Sequence, residues 1–457
     1  MAGDEGLDKG YRKTLEYLFG LQRFGIKLGL TNITTLLRHL GNPHEGLSAV
    51  HIAGSNGKGS TAAFLTSMLR QAGFRVGLYT SPHLVDFSER IRVQGVPIAL
   101  EKVVQYTEYI REVVEKLMQR GEIRLTSDSQ LPPKHAAPEK TTITFFEFTT
   151  AMAFLYFREV QAEVVVLETG LGGRLDATNV IDPLLSLITP ISREHQQYLG
   201  KNLIQIAGEK AGIIKPRRPL LTSAHQPRVI ALFRERCREL HSPFYVWGKD
   251  FRAKRRGPQV IDFYGRGHRW AGLRLGLRGG HQTVNASLAL AAAEALMESG
   301  LGIREEHIRR GCEEVQWPGR LELIGQNPAI LLDGAHNPAA TRVLKKALQE
   351  GFPRKRLILV VGIMADKDMA KMLADLIPPA DFVILTRPKM DRAASLERLR
   401  QLTSGFQKPV AENADVGQAL DQALAMADRE DLVLVSGSLF TVGEARAHLV
   451  EKGMVRS

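Results

Sequence analysis

Cysteine is nearly absent: in 457 residues only Cys237 and Cys312 occur. Two thiols cannot build a disulfide framework or a cysteine-based zinc site, so both are read as packing residues. Long apolar runs are missing too, and nothing approaches the roughly 20 residues that a membrane span requires. The opening residues, Met1-Ala-Gly-Asp-Glu-Gly-Leu-Asp8, are acidic and lack the apolar stretch of a secretory signal. These absences point to the cytoplasm and exclude a membrane partner. With 44% hydrophobic and 24% charged residues the chain is not composed like a disordered one. Its length exceeds one ordinary core, so two or three domains are expected. The net charge of +12 invites a nucleic-acid reading. However, the basic runs Arg252-Ala-Lys-Arg-Arg256, Lys215-Pro-Arg-Arg218 and Arg354-Lys-Arg356 are short, scattered and without interleaved aromatics. That pattern argues against single-strand stacking and for small polyanions such as a nucleotide or a polycarboxylate.

The most informative stretch is Val50-His-Ile-Ala-Gly-Ser-Asn-Gly-Lys-Gly-Ser-Thr61. An apolar run stops at Gly54, and helical spacing resumes at Ala62, Ala63, Leu65, Met68 and Leu69. Gly54, Gly57 and Gly59 fall in the turn between them, where the backbone can approach a ligand closely. Amides at a helix start bind anions, Lys58 adds a point charge for terminal phosphates, and Ser60 or Thr61 could reach a magnesium ion. A P-loop has four residues between its first glycine and the Gly-Lys pair. Gly54-Ser-Asn-Gly57-Lys58 has two.

Along the chain, helical spacing covers Tyr11 to Leu40, with Thr31-Asn32-Ile33-Thr34 reading as the cap of a second helix. Strands are expected at Ser48 to Ala53, Arg75 to Thr80, Val164 to Leu167 and Leu184 to Thr189. Helices are expected at Glu101 to Met118, Phe145 to Val160 and Asn202 to Ile213. The proline-broken segment Thr126 to Lys140 reads as a loop. Strands alternating with helices imply a doubly wound, mostly parallel sheet. Phe244 to Leu277, rich in Arg, Gly and aromatics, reads as a small antiparallel insert, and the helix Val284 to Met297 closes the first domain. Past Trp317-Pro-Gly-Arg320 a second alternation begins, with strands Ala329 to Leu332, Arg356 to Val361, Asp381 to Thr386 and Leu432 to Ser436. This domain reads as Rossmann-like α/β without the dinucleotide fingerprint. Domains over 1–317 and 318–457 follow. Ser81, Glu168 and His195 all sit just after expected strands, where open sheets carry their ligands.

The sequence resembles the folylpolyglutamate synthase/dihydrofolate synthase branch of the Mur ligase family. The likeness rests on Gly54-Ser-Asn-Gly-Lys-Gly-Ser60, Thr80-Ser-Pro-His-Leu84, Ser88-Glu-Arg-Ile-Arg92, Glu168 to Asn179, Glu209-Lys-Ala-Gly-Ile-Ile-Lys-Pro216, His281-Gln282 with Asn285-Ala286, Trp317 to Arg320 and Leu332-Asp-Gly-Ala-His-Asn-Pro338. It implies that Gly57, Lys58, Gly59 and Ser60 bind ATP phosphates, with Asn285, Arg320 and Asp333 on the nucleotide. Ser81, Glu168 and His195 match magnesium positions, and Lys210 matches a lysine carbamylated for a second metal ion. Thr144, Phe146, Asp176 and Ala177 match pterin-holding positions. His336 and Ser438 sit where the second domain would help bind phosphate and glutamate. The family commonly has Asp-His where this chain has Glu194-His195, and Thr-Asn-Gly-Lys where it has Ser55-Asn-Gly-Lys58.

The implied reaction is ATP-dependent ligation of L-glutamate to dihydropteroate, to reduced folates, or to both, with Lys58, Glu168, His195 and Lys210 as the catalytic set. Asp176 and Ala177 favour the bifunctional enzyme, and the family suggests a monomer. Two rival readings remain at this stage. A cell-wall Mur ligase would share the reaction but usually has threonines directly after the lysine, where this chain has Gly59-Ser60. A basic nucleic-acid module using ATP as a switch is the non-enzymatic alternative.

Overall fold

The computed structural model describes residues 2–21, 28–123 and 143–455; the loop expected over Thr126 to Lys140 lies outside them. Contacts divide the chain into two compact units, one of Met1–His83, Phe87–Phe251 and Leu288–Gly311, the other of Leu84–Asp86, Arg252–Ser287 and Cys312–Ser457.

The first unit is built on an eight-stranded sheet. Its strands are β1 (Ala49–Ala53), β2 (Val76–Tyr79), β3 (Ile91–Val93), β4 (Val96–Pro97), β5 (Val164–Glu168), β6 (Leu185–Ile188), β7 (Leu220–Thr222) and β8 (Phe244–Val246). In space they run β4-β3-β2-β5-β1-β6-β7-β8. Neighbouring strands pair in parallel except at one edge, where β3 is antiparallel to both β2 and β4. β1 and β5 are buried at every residue, as expected of strands covered on both faces. From β1 the chain first works to one side through β2 and β5, then crosses to the other through β6, β7 and β8. The carboxyl ends around β1 therefore form the crevice in which open α/β sheets hold ligands.

The helix after β1, Lys58–Gln71, is buried without a break from Ser60 to Leu69, so it is a core helix. Leu100–Gln119 buries Val103, Tyr106, Thr107, Ile110, Val114 and Leu117 at helical spacing, while Val113 stays half-buried. Phe148, Phe154 and Phe157 of the helix Phe145–Glu159 join Tyr79 in the same core.

The second unit has two sheets. A three-stranded antiparallel ribbon, order β11-β10-β9, is made of β9 (Arg252–Gly257), β10 (Val260–Tyr264) and β11 (Arg269–Arg274). A six-stranded sheet contains β12 (Glu322–Ile324), β13 (Ala329–Asp333), β14 (Leu357–Val361), β15 (Phe382–Leu385), β16 (Val410–Glu412) and β17 (Leu432–Ser436), in the order β12-β13-β17-β14-β15-β16. Only β12 is antiparallel there. The expected class, a doubly wound sheet with an antiparallel insert followed by a Rossmann-like α/β sheet, is the observed one. Among the described residues no helix is long and apolar enough to cross a membrane.

Two local expectations are corrected. The cap expected from Thr31 to Thr34 is absent: the helix Thr31–His39 starts with Leu30 at its N-cap and no side-chain bond, because Thr31 is already inside the first turn. Phe244–Val246 is not part of the antiparallel insert. It joins the first sheet in parallel, Leu220 facing Phe244, and the ribbon begins only at Arg252. Sequence reading also passed over the helices Pro227–Glu239 and Glu305–Glu314.

Within the first unit, Gly311 lies against Met68: a Cβ placed on it would come within 2.5 Å of the Met68 Cα and 2.6 Å of its nitrogen. Backbone cannot yield as a flexible side chain does, so Gly311→Ala is expected to cost about 1–3 kcal/mol as an overpacking strain. Urea unfolding of the variant against the parent measures it.

Candidate active site

Gly54 follows β1 directly, with φ +146° and no room for a side chain: a Cβ would lie 1.7 Å from Thr189 Oγ1, just past β6. Ser55 locks the turn further. Its N–H donates to the Pro190 carbonyl (3.1 Å), its hydroxyl donates to the Ser192 carbonyl (3.1 Å) and accepts from the Ser192 N–H (2.9 Å). Gly57, in the left-handed region at φ +91°, is the N-cap of Lys58–Gln71 and gives that helix no side-chain cap. The first-turn amides of a core helix thus begin at a glycine, which is the arrangement that receives an anion. Thr61, fully buried, has no hydrogen-bond partner for its hydroxyl.

Around this turn the charges alternate. Lys58 Nζ donates to the Gly54 carbonyl (3.1 Å) and lies 3.6 Å from Glu168 Oε1 at the end of β5, where Glu168 is in register with Ile52. Lys210 Nζ donates to the same carbonyl (2.8 Å) and to Glu194 (3.1 Å). Side-chain exposure is 2% for Lys210 and 12% for Glu194. Burial alone would raise the Glu194 carboxyl, but the charges of Lys210, Lys58 and His195 outweigh it and hold it down to about 2. Burial pushes the Lys210 amine below its ordinary range, against the pull of Glu194. His195, next in sequence, is exposed and left-handed at φ +46°, an uncommon backbone state for a non-glycine residue. Ser81 lies two residues past β2, half-buried. Ser81, Lys58, Glu168 and His195 are thus carried past the carboxyl ends of four neighbouring strands.

A second network lies under the loop after β5. The Asp176 carboxylate accepts from the Leu171 N–H (2.8 Å), the Thr178 N–H (3.1 Å) and the Thr178 hydroxyl (2.5 Å). Burial still raises it, with these bonds opposing. Because Thr178 spends its proton on Asp176, His51 Nε2 is the donor in the 2.8 Å bond to Thr178 Oγ1. His51 Nδ1 is then left as a buried acceptor without a partner, in a neutral ring whose pKa burial pushes down to about 3. Ala177 is buried beside Asp176, and Phe146 packs its ring 5.8 Å from that of Tyr79 and against Gly170. Thr144 is occupied by a capping box with Glu147.

The other predicted residues belong to the second unit. Asp333, at the end of β13, accepts from the Leu321 and Ala335 N–H groups (both 3.0 Å) and is raised by burial against the nearby Arg320 charge. Asn285 donates to Gln282 (2.9 Å). His336 Nδ1 is 2.9 Å from the Gly334 carbonyl, and the Ser438 hydroxyl caps the helix Leu439–Glu451 through Thr441.

Sequence reading missed two participants. Glu194 was noticed only as a variant residue, and Arg90 only as part of a motif. Arg90 is buried, donates to His83 (2.8 Å), lies over the Phe145 ring at 5.0 Å, and is pushed down to about 10 by burial. A lone arginine in a polar stretch carries no signal of burial; only the fold supplies it.

The dihydrofolate synthase/folylpolyglutamate synthase of Bacillus subtilis is 34% identical over 448 residues, 96% of this chain and 99% of that protein. The chain belongs to this family of Mur ligases. Residues 319–439 match the domain family described as Mur ligase, glutamate ligase domain. A folylpolyglutamate synthase from Thermotoga maritima superposes with TM-score 0.83 at 36% identity, over 98% of both chains. The Mycobacterium tuberculosis folylpolyglutamate synthase complexed with ADP and AMPPCP gives 0.85 at 32% identity, covering 96% of this chain and 98% of its own. Where this family of folylpolyglutamate synthases commonly has Asp-His, the chain has Glu194-His195, and Glu194 is the carboxylate that pairs with Lys210.

Removing one partner of a buried ion pair strands the other, so Glu194→Gln is expected to lose about 3–5 kcal/mol at neutral pH. The sign with pH follows from the lowered carboxyl: the contribution is complete above the ordinary 4.5 and is lost as pH falls through about 2. Urea unfolding of parent and variant should therefore show the gap closing over that range.

Proposed function

We propose that the chain is an ATP-dependent ligase that adds L-glutamate to dihydropteroate and to folates through an acyl phosphate, giving ADP and phosphate. The observation that carries it is the meeting of the uncapped helix start, Lys58 and Glu168 at the carboxyl ends of β1 and β5. An Escherichia coli relative in complex with DHPP and ADP, TM-score 0.83 at 30% identity, supports the pairing of nucleotide with a pterin acceptor. The Asp176 loop favours the bifunctional reading, with an ATP-binding domain over 1–317, a ligase domain over 318–457, and a cytoplasmic monomer as the working form.

A carboxylate is a poor electrophile. Transfer of the γ-phosphoryl group makes it an acyl phosphate, which the amine of glutamate attacks, and phosphate leaves. The amides from Gly57 to Ser60 and Lys58 hold and neutralise the phosphates, so the chain acts by charge and position rather than by a covalent nucleophile. Asp176 and Phe146 orient the acceptor, and Asn285, Arg320 and Asp333 are assigned to the nucleotide, His336 and Ser438 to phosphate and glutamate. The donor set fits magnesium: Ser81, Glu168 and His195 supply few ligands and leave the rest to phosphate and water. Among the described residues there is no group of three or more His, Cys, Asp or Glu side chains that would bind a metal unaided. Bound magnesium would offset charge on the phosphates. Lys210 as an ammonium repels a second cation; as a carbamate it would offer hard oxygen instead, and intact mass under bicarbonate should then rise by one carbon dioxide.

The decisive assay offers dihydropteroate or tetrahydrofolate separately, with ATP, magnesium and glutamate, and reads products by mass spectrometry. No glutamate added in either tube would refute the reading. Lys58→Ala removes charge-assisted bonds of about 1.5–3 kcal/mol each, so turnover should drop roughly ten- to several hundred-fold in a folded protein.

A further inference from the structure

The ribbon β9–β11 has two unlike faces. Ile261, Phe263, Trp270 and Leu273 are buried on one. The register places Arg252 and Arg269 opposite Tyr264, Lys254 opposite Asp262 and Arg274 opposite Val260, so these basic residues share the other face. Arg252, Lys254, Arg256, Arg269 and Arg274 are all exposed. Asp262 pairs with Arg256 at 2.6 Å, and Glu313 lies 3.9 Å from Arg274. No carboxylate lies within ion-pair distance of Arg252, Lys254 or Arg269 among the described residues, although the Arg269 charge also helps lower the Asp262 carboxyl. Instead the guanidinium groups of Arg252 and Arg269 sit 5.3 and 4.9 Å from the Tyr264 ring centroid. Stacking on one ring holds both forks in place before any ligand arrives, which lowers the ordering cost of binding a carboxylate.

We propose that this face docks the growing glutamate oligomer of the product. The inference rests on the reading of the chain as a glutamate-adding ligase. Whichever carboxyl forms each amide, a glutamate oligomer keeps one free carboxylate per residue, so every addition lengthens a polyanion. Alternate residues on a strand are about 6.7 Å apart. A side-chain-linked glutamate repeat spans five backbone bonds, about 6 Å when extended, so consecutive carboxylates can meet Arg252 and Lys254 in turn. A nucleic-acid strand also repeats its charge, but it gains much of its affinity by stacking bases on open aromatic faces. Here the Tyr264 ring is covered by its two arginines.

The test uses the full-length protein and calorimetric titration with tetra-γ-glutamate. The parent should bind it with an affinity that falls as salt rises, and the triple variant Arg252→Gln/Lys254→Gln/Arg269→Gln should bind about tenfold or more weakly. An unchanged melting curve ensures that the variant is folded. Equal binding by parent and variant overturns the proposal. So does equal or tighter binding of α-linked tetraglutamate, which would mark an acidic-peptide site, or displacement of tetra-γ-glutamate by an RNA oligonucleotide of equal charge. ATP-dependent addition of the first glutamate is followed on the same preparations. Addition without oligomer binding removes the docking face and leaves the ligase reading intact. Oligomer binding without any addition removes the ligase reading, and the proposal with it.

Discussion

The first unit depends on one peptide group. The Gly54 carbonyl accepts from Lys58 Nζ at 3.1 Å and from Lys210 Nζ at 2.8 Å. Two ammonium groups drawn to one oxygen repel each other, and each finds its own carboxylate: Glu168 for Lys58, Glu194 for Lys210. That alternation lets four charges share a crevice from which much of the water is gone. It is possible only because the Gly54 backbone lies against Thr189 with no side chain between them, bringing the ends of β1 and β6 together. Any Cβ there would move the carbonyl, and with it both lysines.

The Asp176 network solves a similar problem by other means. A buried carboxylate is costly unless donors surround it. Here the donors include the Leu171 and Thr178 N–H groups and the Thr178 hydroxyl, and the hydroxyl is in turn oriented by His51 from the middle of β1. The central strand therefore supports two things at once: the glycine-rich turn at its end and, through a neutral imidazole, the loop after β5. His51 achieves this at the expense of an unpartnered Nδ1, which signals how strongly the position is constrained.

What could be read in the sequence follows from which forces are local. Strands buried on both faces are written as unbroken apolar runs, so β1, β5, β14 and β17 were found nearly to the residue. The glycine-rich turn before the helix Lys58–Gln71 was legible because its glycines and lysine are contiguous. Short edge strands such as β3, β4 and β16 carry little pattern. Phe244 to Val246 looked like part of the insert because the aromatic-rich composition continues across it, while its pairing with β7 is decided by neighbours distant in sequence. Glu194 and Arg90 were passed over for the same reason: their meaning lies in burial beside Lys210 and Phe145, which no spacing rule encodes. Thr144 and Ser438 are the converse case. The resemblance matches them to ligand-holding positions, but both hydroxyls are engaged in helix caps, so any role toward a ligand has to coexist with a structural one.

The two kinds of basic residue are divided by chemistry as well as by place. Around the Gly54 turn they are lysines, compact charges whose state burial can alter, as it does for Lys210. On the ribbon the stacked pair are arginines, which remain charged and whose planar groups can lie on Tyr264 while presenting hydrogen bonds outward. A lysine at either ribbon position would keep the charge and lose the stacking that fixes its direction. An arginine in place of Lys210 would be too large for a site buried to 2% and could not give up its proton. These basic residues are thus of two sorts: one tuned by burial at the carboxyl ends of the first sheet, the other stacked on an aromatic ring at an exposed surface.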